Sequence, residues 1–153
     1  MTTTRSIKRP PLVAPGEGVT QALHAALYVT EPVQVTISTA AGADTQPAEL
    51  FKVPPNTFIY DIPLLVTTAI KPDTGVSLLI GLDADSDAFY ADSLVNAVGA
   101  YSMHNQASLR AGGHLTTGYQ TIKAQWSTAS TGGVFSARLV YRFYGEEGYS
   151  DPG

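Results

Sequence analysis

The stretch Phe135-Ser136-Ala137-Arg138-Leu139-Val140-Tyr141-Arg142-Phe143 decides the fold class. Phe135, Ala137, Leu139, Tyr141 and Phe143 form one row, and Ser136, Arg138 and Arg142 stand between them. In an extended chain successive side chains point to opposite faces, so this spacing lays one row in a core and turns the other toward water or a partner.

The same period returns four times. Phe58, Tyr60, Ile62, Leu64 and Val66 make a row separated by Asp61, Pro63 and Thr67. Val76, Leu78, Ile80 and Leu82 make another, interrupted by Ser77 and Gly81. Ile122, Ala124 and Trp126 alternate with Thr121, Lys123, Gln125 and Ser127, and Val33, Val35 and Ile37 alternate with Gln34 and Thr36. Each row is expected to face inward, Trp126 included. Between the runs lie breakers: Val53-Pro54-Pro55-Asn56, Lys71-Pro72-Asp73-Thr74-Gly75 and Ser130-Thr131-Gly132-Gly133. No segment offers the long helical crossovers that a parallel sheet needs. The pattern predicts an all-β fold, an antiparallel β-sandwich or jelly roll with an extended N-terminal arm.

The expected organisation is an arm over residues 1–18, a sandwich over 19–145 and a flexible tail over 146–153. Prolines at 10, 11 and 15 keep the arm extended, since they suit neither helix nor regular sheet. Residues 19–29 read two ways: Val19, Leu23, Ala25, Leu27 and Val29 suit a strand, whereas Val19, Leu23, Ala26 and Leu27 would line a helix. We adopt the strand. Between residues 88 and 118 the alternation fades, leaving Leu94, Val95, Leu109 and Leu115 as scattered anchors in what reads as long loops with short strands.

At 153 residues the chain fits one domain with a sizeable core, and it has no cysteine for disulfides or thiolate metal sites. No apolar run is long enough to span a bilayer as a helix, and no apolar block follows the basic N-terminus, so no membrane role is expected. Charged residues make up only 14% of the chain, with hydroxyls and glycine in their place. Covering hydroxyls costs less solvation than covering unpaired charges, a composition that suits a surface covered by partners. Arg5, Lys8 and Arg9 supply three of nine basic residues, leaving six against thirteen acidic ones in the body. Such a body repels phosphate backbones, so nucleic acid is not the expected partner.

The sequence offers no recognisable catalytic constellation, and no catalytic residue is expected. There is no Gly-x-Ser-x-Gly elbow, no His-Glu-x-x-His and no phosphate-binding glycine loop followed by lysine. His104 and His114 stand ten residues apart and read as exposed polar residues, and His24 lies elsewhere. Asp83, Asp85 and Asp87 resemble the start of a calcium loop, but Ala88 stands where the loop needs glycine and Leu94 where it needs a bidentate glutamate. They read as an acidic, solvated turn, with Ca2+ binding the alternative.

Several runs taken together resemble small virion proteins of bacteriophages, of the capsid cement (decoration) type. These are Leu50-Phe51 with Val53-Pro54-Pro55 and Phe58, Val66-Thr67-Thr68-Ala69-Ile70, Ile80-Gly81 followed by Asp83 and Asp85, and Gly133-Val134-Phe135-Ser136-Ala137. The resemblance spans residues 48–144. It implies a non-enzymatic jelly-roll-like sandwich, made in the host cytoplasm, that sits on the phage head and bridges major capsid protein subunits as a homo-oligomer, either dimer or trimer. In that role the arm is expected to bind the partner, with Arg5, Lys8 and Arg9 as charge contacts and Ile7, Leu12 and Val13 as apolar anchors. The alternative is a carbohydrate-binding module of a tail or fibre, using Phe89, Tyr90, Tyr101 and Tyr119 with calcium at the acidic turn.

Overall fold

The computed structural model describes residues 2–8, 26–72, 78–93, 95–106 and 112–144. Thirteen strands run through them: β1 (Arg5–Ser6), β2 (Tyr28–Val29), β3 (Val33–Ser38), β4 (Ala48–Val53), β5 (Thr57–Asp61), β6 (Leu64–Lys71), β7 (Leu78–Leu82), β8 (Asp85–Ser93), β9 (Gly99–Tyr101), β10 (His114–Leu115), β11 (Gln120–Trp126), β12 (Gly132–Ala137) and β13 (Val140–Phe143). One short 3-10 turn, Met103–Asn105, interrupts them, and no helix among the described residues is long and apolar enough to cross a membrane.

Several neighbours in sequence are halves of one bent strand. β5 and β6 are separated only by Ile62 and Pro63, and β12 and β13 only by Arg138 and Leu139. The two breaks meet: the Arg138 amide donates to the Pro63 carbonyl at 3.0 Å. Pro63 lacks an amide hydrogen and cannot continue a ladder, so the pair bends there. β2 and β3 bend beside them, where the Thr30 amide donates to the Leu139 carbonyl and the Leu139 amide donates to Thr30 Oγ1, each at 3.0 Å. The orders β10-β5-β13-β2 and β3-β12-β6-β9 are therefore two halves of one bent sheet.

The second sheet runs β4-β11-β7-β8, with β1 added in parallel outside β4. In both sheets the order interleaves strands from the two ends of the chain, and every pairing except β1–β4 is antiparallel. This is the jelly-roll arrangement, as the strand pattern predicts. Both sheets feed one buried cluster: Val35, Leu64, Val66 and Phe135 enter from the bent sheet, and Phe51, Ile80, Ile122 and Phe89 from its partner.

The inward rows agree with the alternation over Val33–Ile37, Ile122–Ala124 and Phe135–Phe143, all buried. Elsewhere the structure corrects it. In β5 the buried residues are Thr57 and Ile59, so Phe58 and Tyr60 face outward, against expectation. The bend at Ile62 and Pro63 resets the phase, and Ile62, Leu64 and Val66 then bury as expected. Trp126 is only partly buried, packed at the margin of the core. Leu27 and Val29 are exposed, and the rest of the segment 19–29, up to residue 25, lies outside the described residues, as do Leu94, Leu109, the loop 73–77 and the tail 146–153.

The expected loop region begins later than residue 88, because β8 continues through Ser93 and buries Ala88, Phe89 and Tyr90 in succession. Irregularities in the β7–β8 register allow three consecutive residues to turn inward. Gly81 makes this crossing possible: a Cβ there would collide with the backbone of Asp85 and Ser86.

Candidate interaction surface

The N-terminal segment lies along its own chain. β1 pairs with β4, placing Arg5 opposite Phe51 and Ser6 opposite Lys52, and the Ile7 amide donates to the Lys52 carbonyl at 3.1 Å. Ile7 is buried in the chain's own core, so this expected anchor is not presented to a partner. An apolar side chain beside an open sheet edge lowers its free energy by closing that edge. Asp44 fastens the segment further, accepting from the Thr2 amide at 2.6 Å and from the Thr36 amide at 3.0 Å. Partial burial pushes the Asp44 carboxyl up, but the hydrogen bonds from Thr2 and Thr36 outweigh it and hold the pKa below the ordinary value. Lys8 is exposed, while Arg9, Leu12 and Val13 lie outside the described residues.

The acidic turn joins β7 to β8. Asp83 accepts an ion pair from Lys123 at 2.6 Å, and a hydrogen bond shared with the Asp85 carboxyl raises the pKa of Asp87. Asp85 and Asp87 meet while Asp83 pairs with Lys123, and no group of three potential metal ligands forms among the described residues.

The expected aromatic platform for a glycan is also dispersed. Phe89 and Tyr90 are wholly buried, because β8 turns them into the core. Tyr101 is half-buried and its hydroxyl donates to the Ala97 carbonyl at 2.7 Å, which leaves only Tyr119, 79% exposed, on the surface. Of the histidines, His104 is exposed as expected. His114 is buried instead, its Nε2 2.9 Å from Gln120 Oε1 and its ring against Phe89.

What sequence reasoning missed is the outer face of the β10-β5-β13-β2 half-sheet. The register aligns Leu115, Phe58 and Arg142 across three strands, and Val29 with Val140 beside them. Tyr144 extends the row, held by its amide's hydrogen bond to the Asn56 carbonyl at 2.8 Å. Ring contacts knit the patch: Phe58 lies 6.4 Å from Tyr60 and 6.2 Å from Tyr144, and Tyr60 lies 5.6 Å from His104. The Arg142 guanidinium sits 5.9 Å from the Phe58 ring centre and 5.4 Å from that of Tyr144. Tyr60 and Tyr144 are each 48% exposed and Val29 58%. Large side chains on the solvent side of a sheet, gathered in one patch, are the usual mark of a surface that another molecule covers. The signal available in sequence was Pro63, which marks where the alternation changes face.

No protein-family model matches the sequence, and no curated protein matches it. Among solved structures, the fold is similar to chains in three phage capsids. For cyanophage Pam1 the TM-score is 0.60 at 15% identity, covering 88% of this chain and 94% of that one. For the acid-stable capsid of Helicobacter pylori bacteriophage KHP30 it is 0.57 at 13%, covering 80% and 91%. For the capsid of Ralstonia phage GP4 it is 0.55 at 16%, covering 90% and 92%. The chain thus has, nearly end to end, a fold found in phage capsids.

Proposed function

We propose that this chain is a non-enzymatic structural protein of a bacteriophage virion, a cement protein that stabilises the head by bridging major capsid protein subunits. The observation that carries the reading is the aromatic outer face of the half-sheet, present on a fold like those of three capsid chains of matching extent. A specific interface covers about 1,200–2,000 Å² in all, and repetition over a symmetric lattice lets modest contacts add through multivalency. The low charge content makes that coverage cheap in solvation. Arg5 and Lys8 on the edge of the other sheet offer a second, basic contact, and a dimer or trimer would present both faces more than once.

The tail or fibre glycan-binding reading has less support, since Phe89 and Tyr90 are buried. The test is addition of purified protein to particles assembled without it. Saturable binding that raises the temperature of DNA release is the expected outcome, and particles that neither bind it nor gain stability would refute the cement role.

A further inference from the structure

We propose that Arg142 is the anchor of this face and that it receives a carboxylate side chain from a neighbouring shell protein. The inference rests on the virion reading and names the chemistry of the partner at that surface.

The argument starts from the cation. A guanidinium keeps its proton at any physiological pH. Phe58 and Tyr144 both lie within cation–π reach of it, and rings so placed hold the planar group while leaving its N–H edge able to donate. Among the described residues no carboxylate pairs with it. The nearest acid in the register is Asp61, opposite Val140, and its oxygens are taken by the Ser102 hydroxyl and by the Met103 and Ile62 amides. Arg142 is thus positioned in advance and, among the described residues, unmatched by a carboxylate.

Burial of that surface would strip water from the guanidinium, and an unpaired buried charge is strongly unfavourable. A partner that covers Tyr60 and Tyr144 must therefore bring an anion to Arg142. An aspartate or glutamate set in an apolar surround satisfies both demands, with the tyrosines excluding water around the pair. An isologous contact with a second copy would set this patch against itself, and among its described residues the one carboxylate in register, Asp61, is already engaged, so a different protein is the partner that fits.

The experiment compares wild type, Arg142→Lys and Arg142→Gln for binding to particles of the encoding phage that lack this protein. Melting curves and sedimentation of each variant are measured alongside. The expected result is binding at least tenfold weaker for Arg142→Gln, an intermediate loss for Arg142→Lys, and unchanged melting and mass. Equal binding by wild type and Arg142→Gln overturns the anchor and leaves the cement role standing. An altered oligomeric mass in Arg142→Gln also overturns it, since the contact would then join copies of this chain. Failure of wild type itself to bind sinks the cement role, and the anchor with it.

Discussion

The phenolic oxygen of Tyr90 donates to the backbone carbonyl of Ile62 at 2.7 Å, tying the edge strand of one sheet to the bend of the other. Both residues are fully buried, so the bond is made away from water. Tyr90→Phe leaves that carbonyl without its partner, at a cost of about 1–3 kcal/mol. Chemical denaturation at constant m-value checks the loss.

The same tyrosine makes the fold sensitive to alkali. Burial, with a smaller contribution from Asp61, raises the Tyr90 pKa above its ordinary value. A raised pKa means the folded state holds the proton more tightly, so this contribution is fully present below about pH 10 and is lost as pH rises beyond it. Wild type should lose stability through that range, and Tyr90→Phe should show a shallower decline in pH-jump melting curves.

Asp44 carries the opposite sign. Its pKa is depressed in the folded protein, so its contribution is present above the ordinary carboxylate value near 4 and is lost as pH falls. The segment it clamps should loosen first in acid. Amide hydrogen exchange at Ile7, which donates to Lys52, should quicken before exchange in β12 does, and Asp44→Ala should produce the same selective loss at neutral pH.

Inward and outward residues of the bent sheet should behave differently on truncation. Phe135→Ala empties a fully buried site and should cost about 3–5 kcal/mol in unfolding free energy. Tyr60→Ala, on the outer face, should change stability by no more than about 0.5 kcal/mol. It should nonetheless weaken attachment to particles, measured by co-sedimentation.

Gly81→Ala probes the crossing of β7 and β8. Its Cβ would meet the backbone of Asp85 and Ser86, which cannot rotate away as a side chain could. The expected cost is about 1–3 kcal/mol, read from thermal unfolding, with the acidic turn displaced.

The jelly roll was legible wherever alternation ran unbroken, as from Phe135 to Phe143. Spacing alone turns Phe58 and Tyr60 inward because it assumes one straight strand, whereas the bend at Pro63 exchanges the faces. Phe89 and Tyr90 fall where the alternation fades and read as loop aromatics, because bulges suspend the period there, and these depend on a pairing with β7 that spacing cannot reveal. Sequence alone offers Ile7 as an anchor for a partner, because the pairing of its segment with β4, more than forty residues away, is set by tertiary contact. The outer patch was invisible for a related reason: Arg142 gains its meaning from Phe58, a neighbour through register alone.

The most direct test of the central claim is a high-resolution electron-microscopy reconstruction of the intact particle. This chain is expected on the outside of the head, with the Phe58, Tyr60 and Tyr144 face covered by another protein and a carboxylate against Arg142. A chain located in the tail, or seated on the head with that face open to solvent, would contradict it.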